Sequence, residues 1–155
     1  MKQAQEAFDW VISILRKNKV SFHITGGLAA RVYGSLRPLA DIDIELHDED
    51  VIKILPFVSR YLVQGPARHH DDQFDIYGMS LKYKGFGIDL FGSDTQKVFD
   101  KKKRKWEKEQ IDFGRAVRKK VFGRIVPVIS LKELLAYKTK IARDVDLEDV
   151  KNLRV

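Results

Sequence analysis

Apolar residues recur along the first segment at Ala4, Ala7, Phe8, Val11, Ile12 and Leu15, the spacing of an amphipathic helix that ends near Lys17 to Lys19. The period then drops to two. Val20 to Thr25 reads as a short strand that delivers Gly26 and Gly27 to a turn, and Leu28 to Tyr33 as a short helix stopped by Gly34 and Pro38. In Asp41 to Leu46, D-I-D-I-E-L, strict alternation sends Ile42 and Ile44 to the core and Asp41 and Asp43 to the opposite face. Asp48 to Tyr61 follows as a helix capped by Asp48 and kinked or broken at Pro56. A polar loop from Gln64 to Asp72 precedes two strands, Phe74 to Tyr83 and Phe86 to Phe91, joined as a hairpin at Lys84-Gly85. Arg115 to Val128 is a basic, β-prone stretch that turns near Phe122 to Arg124. Ser130 with Glu133 then forms a capping box for a helix through Ala142, and Asp146 caps a last helix containing Leu147, Val150 and Leu153. The pattern predicts an α/β fold, with a small mixed sheet presenting Asp41, Asp43 and Asp89 on one face and helices packed on the other.

That arrangement changes the reading of the aspartates from surface charge to chemistry. Strand positions favour apolar and β-branched residues, so two carboxylates at i and i+2 need a reason. Hard oxygen donors on one edge suit magnesium, which is usually held by one or two carboxylates together with substrate phosphates. Two such ions about 3.5–4 Å apart would clamp the attacking and leaving oxygens of a phosphoryl group. Gly26 and Gly27 let backbone N–H groups approach a phosphate at a helix start, or serve only as a tight strand-to-helix turn. Arg37 either forks onto triphosphate oxygens or pairs with an acid. His23, beside the glycine turn, reads as structural rather than catalytic. Neighbouring side chains diverge in an extended chain, so His69-His70-Asp71-Asp72 reads as a solvated loop rather than a metal site. Asp75 is the weaker rival to Asp89 for a third carboxylate.

At T-G-G, R-P-L-A-D-I-D and G-I-D-L-F the sequence resembles the polymerase-beta-like nucleotidyltransferase superfamily, and in particular the small antibiotic-modifying enzymes of the lincosamide and aminoglycoside type. The resemblance spans roughly residues 10 to 92, with a looser match at the C-terminus. It implies a nucleotidyltransferase-like mixed sheet and a magnesium-dependent transfer of a nucleoside monophosphate from a nucleoside triphosphate to a hydroxyl acceptor. It also implies roles. Asp41 and Asp43 would hold two magnesium ions, Asp89 would ligate one and orient or deprotonate the acceptor, and Gly26 and Gly27 would cradle the phosphates. In the C-terminal helix pair, Lys138 matches a lysine that faces the nucleotide; Val145 stands where the family carries a basic residue before its last aspartates, so the match stops at Lys138.

Composition sets the outer bounds. A chain of 155 residues is one domain's worth, expected to form a single unit over residues 1–155. No apolar run approaches the ~20 residues that span a bilayer, so no membrane partner is expected. With no cysteine and an acid-bearing first helix, the expected location is the cytoplasm. The net charge of +7 favours anions such as nucleotides and RNA, and its densest cluster is K-V-F-D-K-K-K-R-K-W-E-K, Lys97 to Lys108, read as a nucleic-acid stripe or a solvated face. The same charge disfavours a polycationic acceptor unless Glu45, Asp48, Glu49 and Asp50 form an acidic rim. A small molecule, a protein side chain and an RNA end remain open as acceptor, and so short a chain invites completion of the site by a second copy or a partner chain. The alternative from another class is a catalytically weak, antitoxin-type module that binds nucleic acid or a partner.

Overall fold

The computed structural model describes residues 1–153. Its elements follow in chain order: α1 (Lys2–Lys17), β1 (Phe22–Thr25), α2 (Gly26–Val32), β2 (Asp41–Leu46), α3 (Asp48–Val58), β3 (Leu62–His70), β4 (Phe74–Tyr83), β5 (Phe86–Gly92), β6 (Lys97–Asp100), β7 (Lys105–Lys108), β8 (Val117–Val121), β9 (Arg124–Val128), α4 (Leu131–Ile141) and α5 (Asp144–Asn152). The strands form one mixed sheet in the order β7-β6-β4-β5-β2-β1-β9-β8, with β3 paired to β4.

The core lies where the alternation of β2 meets the stripe of α1. Phe8, Val11, Ile12 and Leu15 of α1 are wholly buried together with Ile42, Ile44 and Leu46 of β2, Ile88 and Leu90 of β5, and Val51, Ile54 and Val58 of α3. Each such side chain contributes about 1.5–3 kcal/mol relative to exposure. Because the apolar half of β2 and β5 is claimed by α1 and α3, the intervening residues must rise on the opposite face. The β4–β5 hairpin turns where expected. Lys84 and Gly85 both take positive φ, 48° and 84°, the pairing that suits the twist of a two-residue hairpin loop.

Four parts of the fold go beyond or depart from the sequence reading. The stretch containing His69 and His70 is not a loop: β3 pairs antiparallel with β4, with register shifts between Leu62 and Ala67. Its residues are mostly exposed and carry no apolar alternation, so backbone pairing, which leaves no mark on side-chain pattern, defines it. Helix α3 takes His47 as its N-cap, because Asp48 already lies in the first turn and donates its N–H to the Asp94 carboxylate at 2.8 Å. Helix α2 starts at Gly26 itself, so the glycine pair forms its first turn. The basic run Lys97 to Lys108 is a hairpin of β6 and β7, a shape hidden by the charge that dominates it.

Candidate active site

Parallel pairing of β2 with β5 sets Asp43 beside Asp89 and Asp41 beside Gly87. Antiparallel pairing of β5 with β4 sets Ser80 across from Asp89. The consequence is a cluster in which Asp41, Asp43 and Asp89 each offer a carboxylate oxygen within 4.8 Å of the others. The Ser80 hydroxyl donates to Asp89 at 2.6 Å and fixes its rotamer. Gly26 completes the corner: its φ is +61°, and a Cβ there would lie 2.1 Å from the Asp43 carboxylate, so only glycine fits. Gly27 carries no such constraint, with 3.9 Å to Leu39.

The electrostatics of this corner are out of balance. Burial raises Asp43 well above the usual carboxylate range, and the like charges of Asp41, Asp89 and Glu45 push it further. Asp41 is raised too, by burial and then by Asp89. A divalent cation would reverse both effects, and three hard oxygen donors from adjacent strands are the set that magnesium accepts. The residues therefore fit the ion. Among the described residues this is the one cluster of three or more metal-capable side chains. Asp75 is instead paired with Arg68 at 2.7 Å, and His69 with Asp71 at 2.9 Å.

The carboxylates face a cleft of about 1040 Å³ whose far wall is α4 and the start of α5. Gly26, Gly27, Arg37 and Lys138 also line it. Arg37 and Lys138 converge on one acid that the sequence did not single out. Asp149, 1% exposed, accepts from Arg37 Nε at 3.1 Å and lies 3.0 Å from Lys138 Nζ. Burial alone would raise Asp149, yet the bonds from Arg37 and Lys138 bring it below the usual range. Asp146 caps α5 from its third helical position, accepting the Arg143 N–H at 3.2 Å, and also sits 3.3 Å from Lys138 Nζ. Of the two readings of Arg37, the structure shows the pairing with an acid, and both cations are held by α5.

Deeper along β2, Glu45 shares the face of Asp43 and lines the same cleft. It is 5% exposed, held by His23 Nε2 at 2.7 Å and by Gln96 Nε2 at 2.9 Å. His23, 1% exposed, packs edge-on against Phe113. Of the anticipated acidic rim only Glu45 reaches the cleft. Asp48 turns to the Asp94 N–H and the Thr95 hydroxyl, and Glu107 and Glu109 line the cleft instead. Tyr137 also lines it; burial pushes its hydroxyl well above the ordinary value, and Glu45, Glu109 and Asp43 add to the effect. For Glu45 the signal was present in the period-two pattern; for Tyr137, Ser80 and Asp149 it lies only in tertiary placement.

The family model for aminoglycoside-2''-adenylyltransferase matches residues 8–153. No curated protein sequence gives a significant match. Among solved structures, an inferred nucleotidyltransferase of Thermotoga maritima superposes with a TM-score of 0.75 at 19% identity, covering 95% of this chain and 89% of that one. The lincosamide antibiotic adenylyltransferase LnuA with lincomycin bound gives 0.62 at 18% identity, covering 96% and 95%. The enzyme ANT(2'')-Ia in complex with adenylyl-2''-tobramycin gives 0.62 at 12% identity, covering 96% and 86%. At these identities the superpositions establish the nucleotidyltransferase fold.

Proposed function

The chain belongs to the aminoglycoside-2''-adenylyltransferase family, and from that premise we propose that it transfers the nucleoside monophosphate of a magnesium-bound nucleoside triphosphate, ATP first among them, to a hydroxyl of a small amine-bearing acceptor. The observation that carries the reading is the meeting of Asp41, Asp43 and Asp89 within 4.8 Å at a cleft that Gly26, Arg37 and Lys138 also line. Magnesium, when bound by these carboxylates, supplies neutralisation of the charge that spreads over the phosphate oxygens. The remaining work belongs to the chain. The first turn of α2 offers N–H groups to the phosphates, and Arg37 and Lys138, held by Asp149, present positive charge to them. Asp89, its rotamer fixed by Ser80, takes the proton of the acceptor hydroxyl as that oxygen bonds to the α-phosphorus and the bond to the bridging oxygen breaks. Pyrophosphate leaves with the electron pair. Catalysis is positioning and charge complementarity, so no serine, cysteine or histidine nucleophile is called for.

Glu45 supports the finer reading of the acceptor. Its carboxylate, held at two oxygens and lying beyond the metal corner, suits an ammonium group of the incoming molecule. The test is pyrophosphate release from Mg-ATP with a panel of polyols matched in shape, with and without amines. The expected result is release that depends on the amine-bearing acceptor, and in Glu45→Gln a KM raised roughly 10–100-fold at similar kcat, the loss of one charge-assisted contact of about 1.5–3 kcal/mol. Release that ignores the acceptor would mark a hydrolase instead.

A further inference from the structure

The β6–β7 hairpin lends Glu107 and Lys108 to the cleft wall but no group to the transfer step above, and it holds most of the chain's excess charge. Residues 97 to 108 contain seven lysines and arginines against two acids, so five of the seven net positive charges of the whole chain reside in these twelve residues. All seven cations are exposed. Among the described residues only Lys103 forms an ion pair, with Glu107 at 3.3 Å. The cluster is also ordered rather than loose. The Asp100 carboxylate accepts the N–H groups of Lys102 at 2.9 Å and Lys103 at 3.0 Å, and the Lys101 N–H donates to the Lys140 carbonyl at 3.1 Å, tying the turn to α4. A solvated charge run needs neither tie.

One face of the hairpin adds an aromatic platform. Trp106 pairs across the strands with Phe99, ring centroids 5.7 Å apart, and lies 5.2 Å from the His70 ring, whose plane is tilted by 30°. Trp106 remains 37% exposed, flanked by the cross-strand pair Lys97 and Lys108. From these features we propose that the hairpin is a docking surface for single-stranded nucleic acid, with the turn cations on phosphates and Trp106 under a base. A lipid surface fits less well, since no second large apolar side chain of the hairpin is exposed beside Trp106 to insert. Double-stranded nucleic acid would leave the stacking platform unused.

The experiment is fluorescence anisotropy of labelled U20 RNA with the full chain, in the absence of ATP, so that it is independent of transferase activity. Binding is expected to weaken roughly 50-fold between 50 and 200 mM salt, the slope for about four phosphate contacts at ~0.7 each on a single strand. Lys102→Glu/Lys105→Glu should weaken it at least about tenfold, and Trp106→Ala about tenfold at unchanged salt slope, each with a wild-type melting curve. Should either variant melt early, the wild type with unlabelled single-stranded RNA, duplex RNA and anionic vesicles as competitors decides the question: the single strand is expected to displace U20 at the lowest concentration. The proposal is overturned by absence of U20 binding at 50 mM salt, by indifference to Trp106, or by equal competition from duplex RNA or vesicles.

Discussion

Replacing Asp43 by Asn is expected to lower nucleotidyl transfer at least about 10³-fold while raising the melting temperature of the metal-free protein. The loss follows from removing a ligand at a site where bound cation supplies several kcal/mol of charge stabilisation, each ~1.4 kcal/mol being a factor of ten in rate. The gain in stability follows from the imbalance in the corner. Asp43 is buried beside Asp41, Asp89 and Glu45, and its folded-state pKa lies well above the ordinary one. The fold therefore favours its protonated form. Below the unfolded carboxylate value of about 3.9 the group costs nothing; as pH rises toward the folded value the cost of ionising it grows, and above that value it is fully present. The stability advantage of Asp43→Asn should accordingly be absent near pH 3.5 and widen as pH rises. Thermal melts across pH in chelator, with and without added magnesium, check both parts, since magnesium should stabilise the wild type and leave the variant unmoved. A variant that melts earlier than wild type in chelator at pH 8 would show that the carboxylates are not in conflict.

Asp149→Ala is expected to be the most destabilising single change on α5, by about 3–5 kcal/mol, the range for stranding a buried charge. For a chain of this length that corresponds to a fall of roughly 6–20 °C in melting temperature. The stranded group is Lys138, 4% exposed, which retains only Asp146 at 3.3 Å. Arg37 loses its fork at the same time. The sign with pH is opposite to that at Asp43. The Asp149 carboxylate is depressed, so its contribution is present above the unfolded carboxylate range and is lost as pH falls through the folded value. The gap between wild type and Asp149→Ala should close toward acid. Adding Lys138→Met should recover part of the loss, because an apolar side chain leaves no charge to strand. Urea unfolding of the two single variants and the double variant measures the coupling. Independent, additive losses would contradict the network.

These two expectations differ in how much of each was readable beforehand. Asp41, Asp43 and Asp89 were legible because a strand period of two is visible in sequence and carboxylates violate it conspicuously. Their meeting required only that the Asp89 strand lie beside the Asp41 strand, which the parallel β2–β5 register provides. Gly26 was legible as a glycine but not for its reason, since the carboxylate that a Cβ there would meet at 2.1 Å belongs to Asp43 on β2. Asp149 was invisible: in D-L-E-D it looks like any helix-surface acid, and only the docking of α5 onto α4 buries it against Lys138 and Arg37. The same limit hid β3, whose pairing with β4 is made by backbone. Local patterns therefore found the residues that break a rule, whereas residues that obey every local rule and act through distant contacts appeared only in the fold.

The most direct measurement on the central claim is isothermal titration of ATP into the protein with magnesium and with chelator, for wild type and for Asp41→Asn/Asp43→Asn. Binding that requires magnesium and disappears in the double variant is the expected result. Equal binding in chelator, or binding that survives loss of both carboxylates, would contradict the assignment of this corner as a metal-nucleotide site.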